Sequence, residues 1–189
     1  MFEHIKISIR ITIVLLVVTC GLYPLAVWGI GQTFFHDKAN GSLITRNGNV
    51  IGSSLIGQNF AGERFFHGRP SSSGYDPSAS GGTNWGPTSK KLLDAITDRT
   101  TKYADTKPAG GIPADAVTAS CSGVDPHISV ANAESQAARV ARVNHLPLDR
   151  VRQLIAAHTE GRFLGIFGEP RVNVLLLNLA LDDSHAATQ

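Results

Sequence analysis

Between Arg10 and Asp37 the chain carries no Asp, Glu, Lys or Arg, and residues 11–30 read ITIVLLVVTCGLYPLAVWGI. Wound as an α-helix at about 1.5 Å per residue, that run spans roughly 30 Å, the thickness of a bilayer's hydrocarbon core. Leu, Ile and Val dominate it, and each favours insertion near the helix centre by about 0.3 to 0.6 kcal/mol, which outweighs the Thr, Gly and Pro interruptions. Residues 11–30 are therefore read as one transmembrane helix. Pro24 deprives the Cys20 carbonyl of its helical donor, which predicts a kink near mid-span. Lys6 and Arg10 precede the run and the next cation is Lys38, so the positive-inside bias puts residues 1–10 in the cytoplasm and the rest of the chain outside. Val17-Val18-Thr19-Cys20 faintly resembles a lipoprotein processing site, but the apolar run continues well beyond Cys20, which favours an uncleaved anchor. Thr12, Thr19, Ala26 and Gly29 recur at helical spacing; the stripe suits either a second helix or chance.

The remainder has the make-up of a folded body. Over the 189 residues Lys+Arg 17 stand against Asp+Glu 15, a formal net charge of +2, so there is no basic surplus for phosphates and no nucleic-acid partner is expected. Cys20 and Cys121 cannot build a disulfide framework, and no CxxC or paired Cys and His spacing suggests zinc.

Asn47-Gly48 is the pair that best accepts positive φ in a two-residue turn, and the flanking segments 42–46 and 49–53 predict a β-hairpin. Residues 60–87 carry aromatics and glycines without a period of two or 3.6, which marks a functional or interfacial loop. Thr88 or Ser89 opens a helix running to Tyr103, with Leu92, Leu93 and Ile96 on its buried side. Residues 107–113 form a breaker, 117–120 a strand, and 131–144 an Ala-rich helix. Pro147 opens another helix that ends at Gly161. Residues 172–181, VNVLLLNLAL, fit a helix entered through Pro170 slightly better than a buried strand. The expectation is an α+β protein: cytoplasmic residues 1–10, a transmembrane helix 11–30, a linker 31–41, an extracytoplasmic domain 42–181 and a tail 182–189.

Little chemistry is on offer. There is no G-x-S-x-G, and none of the seven histidines forms HxH or HExxH. His67 and His127, set beside Gly and Pro, are read as partners of backbone carbonyls rather than catalysts. Two glycines in Gly81–Gly86 have P-loop spacing, but Pro87 occupies the position that needs Lys. Asp37-Lys38-Ala39-Asn40 departs at once from the DKTG phosphorylation motif of P-type ATPases. The residues alone support an anchored extracytoplasmic binding or assembly module without catalytic residues. The alternatives are a membrane-anchored periplasmic sensor or solute-binding domain acting without a pump, or a periplasmic hydrolase.

Several blocks together resemble one family. They are Tyr23-Pro24 in the anchor, Gly52 to Gln58, Phe66-His67-Gly68-Arg69-Pro70-Ser71, Ser80 to Asn84 running into Gly86-Pro87-Thr88, Asp125-Pro126-His127-Ile128-Ser129, and Leu164 to Leu175 with Glu169, Arg171 and Asn173. In that order they are similar to the KdpC family, the small C subunits of the bacterial Kdp potassium-transporting P-type ATPase. Cys121, where a small Gly is expected, and Trp85 depart from the pattern.

The resemblance implies an accessory, non-motor subunit in the inner membrane. Its partners would be the lipid bilayer, a channel-like potassium-translocating subunit and a P-type catalytic subunit. It also implies potassium as the transported ion, a role in assembly, and ATP as a nucleotide felt through the complex. Ser80, Gly81 and Gly82 are the family's nucleotide motif, likened to the signature of ABC transporters. With Ser80 outside the membrane, an effect on cytosolic ATP must be a coupling free energy carried by the assembly. Gln58, Arg69, Asn84 and the other block residues are then interface or structural positions, with Arg69 the leading hydrogen-bonding anchor.

Overall fold

The computed structural model describes residues 1–103 and 111–186, the side chains of the last two apart. It divides into two compact units, Met1–Ile51 and Gly52–Gln189.

In the first unit the apolar run is helical well beyond its expected ends, over Phe2–Phe34, and none of its residues is buried. It comprises α1 (Phe2–Leu16), a π-helical turn (Val17–Leu22) and α2 (Tyr23–Phe34). The wide turn stands where a kink was expected. In it the Tyr23 N–H reaches back to the Val18 carbonyl, five residues away, just ahead of the proline. One extra residue in the turn makes room for the Pro24 ring and redirects donors around the carbonyl it would otherwise orphan. The expected linker 31–41 holds the end of α2 and a short α3 (His36–Ala39). Strands β1 (Leu43–Arg46) and β2 (Asn49–Ser53) form the expected hairpin, with Asn47 at φ 52 and Gly48 at φ 79. Positive φ at both positions matches the right-handed twist of the strands they join.

The second unit begins with the irregular segment 54–89, whose only regular element is a single 3-10 turn at Pro77–Ala79. Next come α4 (Lys90–Tyr103), α5 (Ala114–Val117), β3 (His127–Ser129), α6 (Val130–Val143), α7 (Leu148–Ala157), β4 (Thr159–Glu160), β5 (Arg171–Asn173) and α8 (Val174–Ala186). The strands make an antiparallel sheet in the order β3-β5-β4, with Ile128 opposite Val172 and Thr159 opposite the other side of Val172. Its apolar face and helices α6, α7 and α8 enclose a core of Phe66, Ile128, Val140, Val151, Ile155, Val172, Leu177 and Leu181. The fold is α+β, as expected.

Four expectations are corrected. Residues 171–173 are a strand paired on both edges and the helix starts only at Val174, because Asn173 Oδ1 accepts the Leu176 N–H and caps α8. That helix then continues past Leu181 into the expected tail. Residues 118–120 form no strand, since the Ser120 N–H goes to the Pro70 carbonyl and the Ala119 carbonyl to Arg69. On α4, Leu93 is 65% exposed: it follows Leu92 by a single residue, about 100° round the helix, and turns away from the body. α7 stops at Ala157, well before Gly161, where the Thr159 hydroxyl takes the Ile155 carbonyl and the His158 N–H donates to Leu154 and Ile155. Residues 107–110 of the expected breaker 107–113, and residues 187–189 of the tail, lie outside the described residues.

Phe66 is wholly buried, yet its backbone belongs to no strand. Asn178 of α8 serves it like a neighbouring strand: Asn178 Oδ1 accepts the Phe66 N–H at 2.8 Å and Nδ2 donates to the Phe66 carbonyl at 2.9 Å. Asn178→Ala strips the partner from two buried backbone groups and should cost about 3 kcal/mol of stability. Thermal melting of the detergent-extracted chain measures it; an unchanged midpoint would refute the assignment.

Candidate functional site

The motif blocks between Gly52 and Ser129 meet where the irregular loop wraps the 119–127 turn. A chain without secondary structure must place each buried backbone group individually, and here side chains do it. Gln136 of α6 accepts the His67 N–H at 2.8 Å and donates to the His67 carbonyl at 3.1 Å, repeating one residue on what Asn178 does for Phe66. Arg139 donates to the carbonyls of Glu63 and Phe65, and Asn144 to that of Arg64. Gln136, Arg139, Asn144 and Asn178 are all buried. They were missed in the sequence, where the only signal was amides and an arginine at helical spacing on the apolar face of α6 and within α8.

From this base the loop continues to Arg69. One of its guanidinium nitrogens donates to Asp125 at 3.2 Å and another to the Ala119 carbonyl at 3.3 Å, while its buried Nε finds no partner among the described residues. Asp125 in turn accepts the His127 N–H at 2.9 Å, and the Pro126 carbonyl accepts the Val174 N–H at 2.9 Å, tying the turn to α8. Tyr75 donates its hydroxyl to the Arg69 carbonyl, and burial with the nearby Asp125 charge pushes its pKa up.

Glycines stand where nothing larger fits. A Cβ on Gly57 would lie 2.5 Å from the Asp125 carbonyl oxygen, and one on Gly68 2.7 Å from the Tyr75 hydroxyl. Gln58 has its side-chain amide against Gly52.

Ser80, Gly81 and Gly82 lie along the same turn. The Ser80 hydroxyl and the Gly81 N–H both donate to the Ser122 carbonyl, at 2.9 and 2.8 Å, and the Gly81 carbonyl accepts from Ser72. Asn84 holds φ 54, and the Gly86 carbonyl accepts the Ser89 N–H just after Pro87, at the approach to α4.

Glu169 and Arg171 belong to a different place, the β4–β5 connection. There Arg162 grips both oxygens of Glu169, and Arg171 Nε donates to Glu160 at 2.9 Å. The same Glu160 oxygen lies 3.6 Å from His127 Nε2, so His127 faces carboxylates. His67 does meet a backbone carbonyl, that of Gly62 at 3.1 Å.

Among the described residues, two clefts that share His67 open beside the loop. One of about 330 Å³ is lined by Phe60, His67, Arg69, Tyr75, Tyr103 and Gln136. The other, of about 480 Å³, shares His67 and adds Arg99, Lys102, Arg139 and Arg142 against Glu63. Among the described residues no group of three His, Cys, Asp or Glu is placed to hold a metal ion.

Among the described residues one helix, Phe2–Phe34, is long and apolar enough to cross a membrane, and a small α+β unit follows it, an architecture that fits a membrane-anchored protein. The family described as KdpC, K+-transporting ATPase, c chain, matches residues 5–183. The potassium-transporting ATPase KdpC subunit of Koribacter versatilis is 50% identical over 184 residues, covering 96% of this chain and 95% of the relative. Those of Mycobacterium tuberculosis and Polaromonas naphthalenivorans are 52% and 56% identical over 180 and 174 residues; the first pairing covers 93% of this chain and 95% of the relative, the second 89% of each. The chain belongs to the KdpC family.

Burial, with Arg139 close by, holds the His67 pKa below its ordinary value of 6.5. Between that lowered value and 6.5 the unfolded chain binds more protons than the folded one, so His67 withdraws stability as pH falls through this window and not above it. The melting midpoint should therefore drop between about pH 7.5 and pH 5.5, and drop less in His67→Gln. Identical pH profiles for the two proteins would rule this out.

Proposed function

We propose that this chain is the accessory, non-motor subunit of an ATP-driven potassium uptake pump, holding the assembly together and raising the ATP affinity of the catalytic subunit. Kinship with potassium-transporting ATPase KdpC subunits along nearly the whole chain carries this reading. Its partners are a channel-like potassium-translocating subunit and a P-type catalytic subunit. The chain spans the inner membrane once, with residues 1–10 in the cytoplasm and 42–181 outside. Lys6 and Arg10 ahead of the apolar run support that orientation.

The effect on ATP is indirect in this proposal. The Ser80 hydroxyl and Gly81 N–H already donate to Ser122, and a periplasmic Ser80 has no access to cytosolic nucleotide. Affinity is changed through the complex by a coupling of about 1 to 3 kcal/mol. Phe66 to Pro70, Asn84 to Pro87 and Asp125 to His127 give the domain a fixed surface. Arg69, engaged with Asp125 and Ala119, is a brace for that surface as well as a partner for a neighbouring subunit.

Two experiments test the proposal. Omitting this chain from the reconstituted pump should raise the KM for ATP of potassium-stimulated hydrolysis about 5- to 150-fold; an unchanged KM removes the coupling role. For orientation, Cys121 is exposed, and a membrane-impermeant maleimide should label it in intact spheroplasts. Labelling only after lysis reverses the topology.

A further inference from the structure

Among the described residues of the Gly52–Gln189 unit, the large exposed apolar side chains Leu55, Trp85, Leu93 and Val143 are scattered. One place is different. On the connection between β4 and β5, Phe163 is 72%, Leu164 74%, Ile166 72% and Phe167 63% exposed. Four large apolar groups within five residues form a contiguous patch of the kind that marks an interaction site.

The tip is also preformed. Phe163 and Phe167 exchange both backbone hydrogen bonds, at 2.8 and 2.9 Å. Leu164 at φ 53 and Gly165 at φ 74 turn the chain between them, and the Gly165 N–H closes onto the Arg162 carbonyl at 3.0 Å. A non-glycine residue held at positive φ, with its side chain in solvent, is strain that the fold sustains without an internal contact to reward it.

The surrounding charges favour one occupant. At the base of the tip Arg162 is neutralised by both oxygens of Glu169, and Arg171 by Glu160. A loop built to enter anionic lipid carries unmatched Lys or Arg around its apolar tip. Here each arginine of the collar has its carboxylate. An apolar, aromatic-rich centre inside a charge-balanced polar ring is the anatomy of a protein–protein contact.

We propose that the 163–167 tip is a preformed plug that seats in an apolar pocket on a companion subunit of the pump. This rests on the subunit reading above and names the surface through which it acts. Rigidity lowers the ordering cost of docking, so a small contact suffices for specific attachment.

The test uses the full chain in its own pump complex, in cells lacking any other copy. Leu164→Asp combined with Ile166→Asp should reduce co-purified companion subunits at least tenfold, while Leu93→Asp, at an exposed apolar site on α4, leaves them unchanged. Equal recovery with the double variant overturns the plug. Independently, Ile166→Cys in a Cys20→Ser, Cys121→Ser background is labelled with a benzophenone maleimide and irradiated in native membranes. An adduct with a larger pump subunit is the expected result. Adducts only with lipid, only with a second copy of this chain, or with nothing overturn it. Should the unsubstituted chain itself bring down no companions, the subunit reading fails instead; companions recovered without an adduct at position 166 defeat the plug alone.

Discussion

A peptide segment that enters a core without a strand beside it must still find partners for every N–H and C=O, and Phe66 and His67 find theirs in buried side chains. Asn178 satisfies both groups of Phe66 and Gln136 both groups of His67, while Arg139 and Asn144 take the carbonyls of Glu63, Arg64 and Phe65. This arrangement seats the Phe66 ring among Ile128, Val140 and Leu177 and delivers Arg69 and Tyr75 to the Asp125 turn. A leucine in place of either amide would keep the core apolar and nearly full, yet leave the loop with orphaned backbone groups at about 1 to 3 kcal/mol each. The polar residues inside the body are therefore as decisive for its shape as the apolar ones.

How much of this could be read from the sequence depended on the range of the interactions involved. The hairpin at Asn47-Gly48 and helices α4, α6 and α7 were legible because turn chemistry and a 3.6 period are local properties. The strand at 171–173 was not, since Val172, Val174, Leu175 and Leu177 are all buried and the apolar pattern loses its period where a strand runs straight into a helix. Nor were Gln136 and Arg139, whose partners lie 69 to 76 positions earlier in the chain. The family resemblance singled out residues 66–71, 80–88 and 125–129 as motifs without a structural reason for them. The reason is contact: Arg69 meets Asp125, and Ser80 meets the turn that precedes it. The block at 164–175 proves to be two things, an exposed tip and a buried strand with its cap.

The membrane helix shows the same economy with a different constraint. In a bilayer core no water replaces a lost backbone hydrogen bond, so a proline must be accommodated by the helix itself or by a neighbour. The π turn at Val17–Leu22 does so within the helix. Small residues that recur along the anchor, Thr19, Ala26 and Gly29 among them, leave the outer surface open to close approach by another helix.

The affinity role proposed for this chain would require it to bind two states of a companion unequally. A soft surface adapts to both states and loses the difference; a locked one preserves it. Gly57 and Gly68 have no room to spare against Asp125 and Tyr75, and the 163–167 tip is closed by its own hydrogen bonds, so both surfaces would offer a partner a fixed shape. The coupling required, about 1 to 3 kcal/mol, equals the burial of one large apolar side chain at roughly 25 cal/mol per Å². A single phenylalanine or isoleucine of the tip, seated in one state of the pump and displaced in the other, would be sufficient to transmit the whole effect.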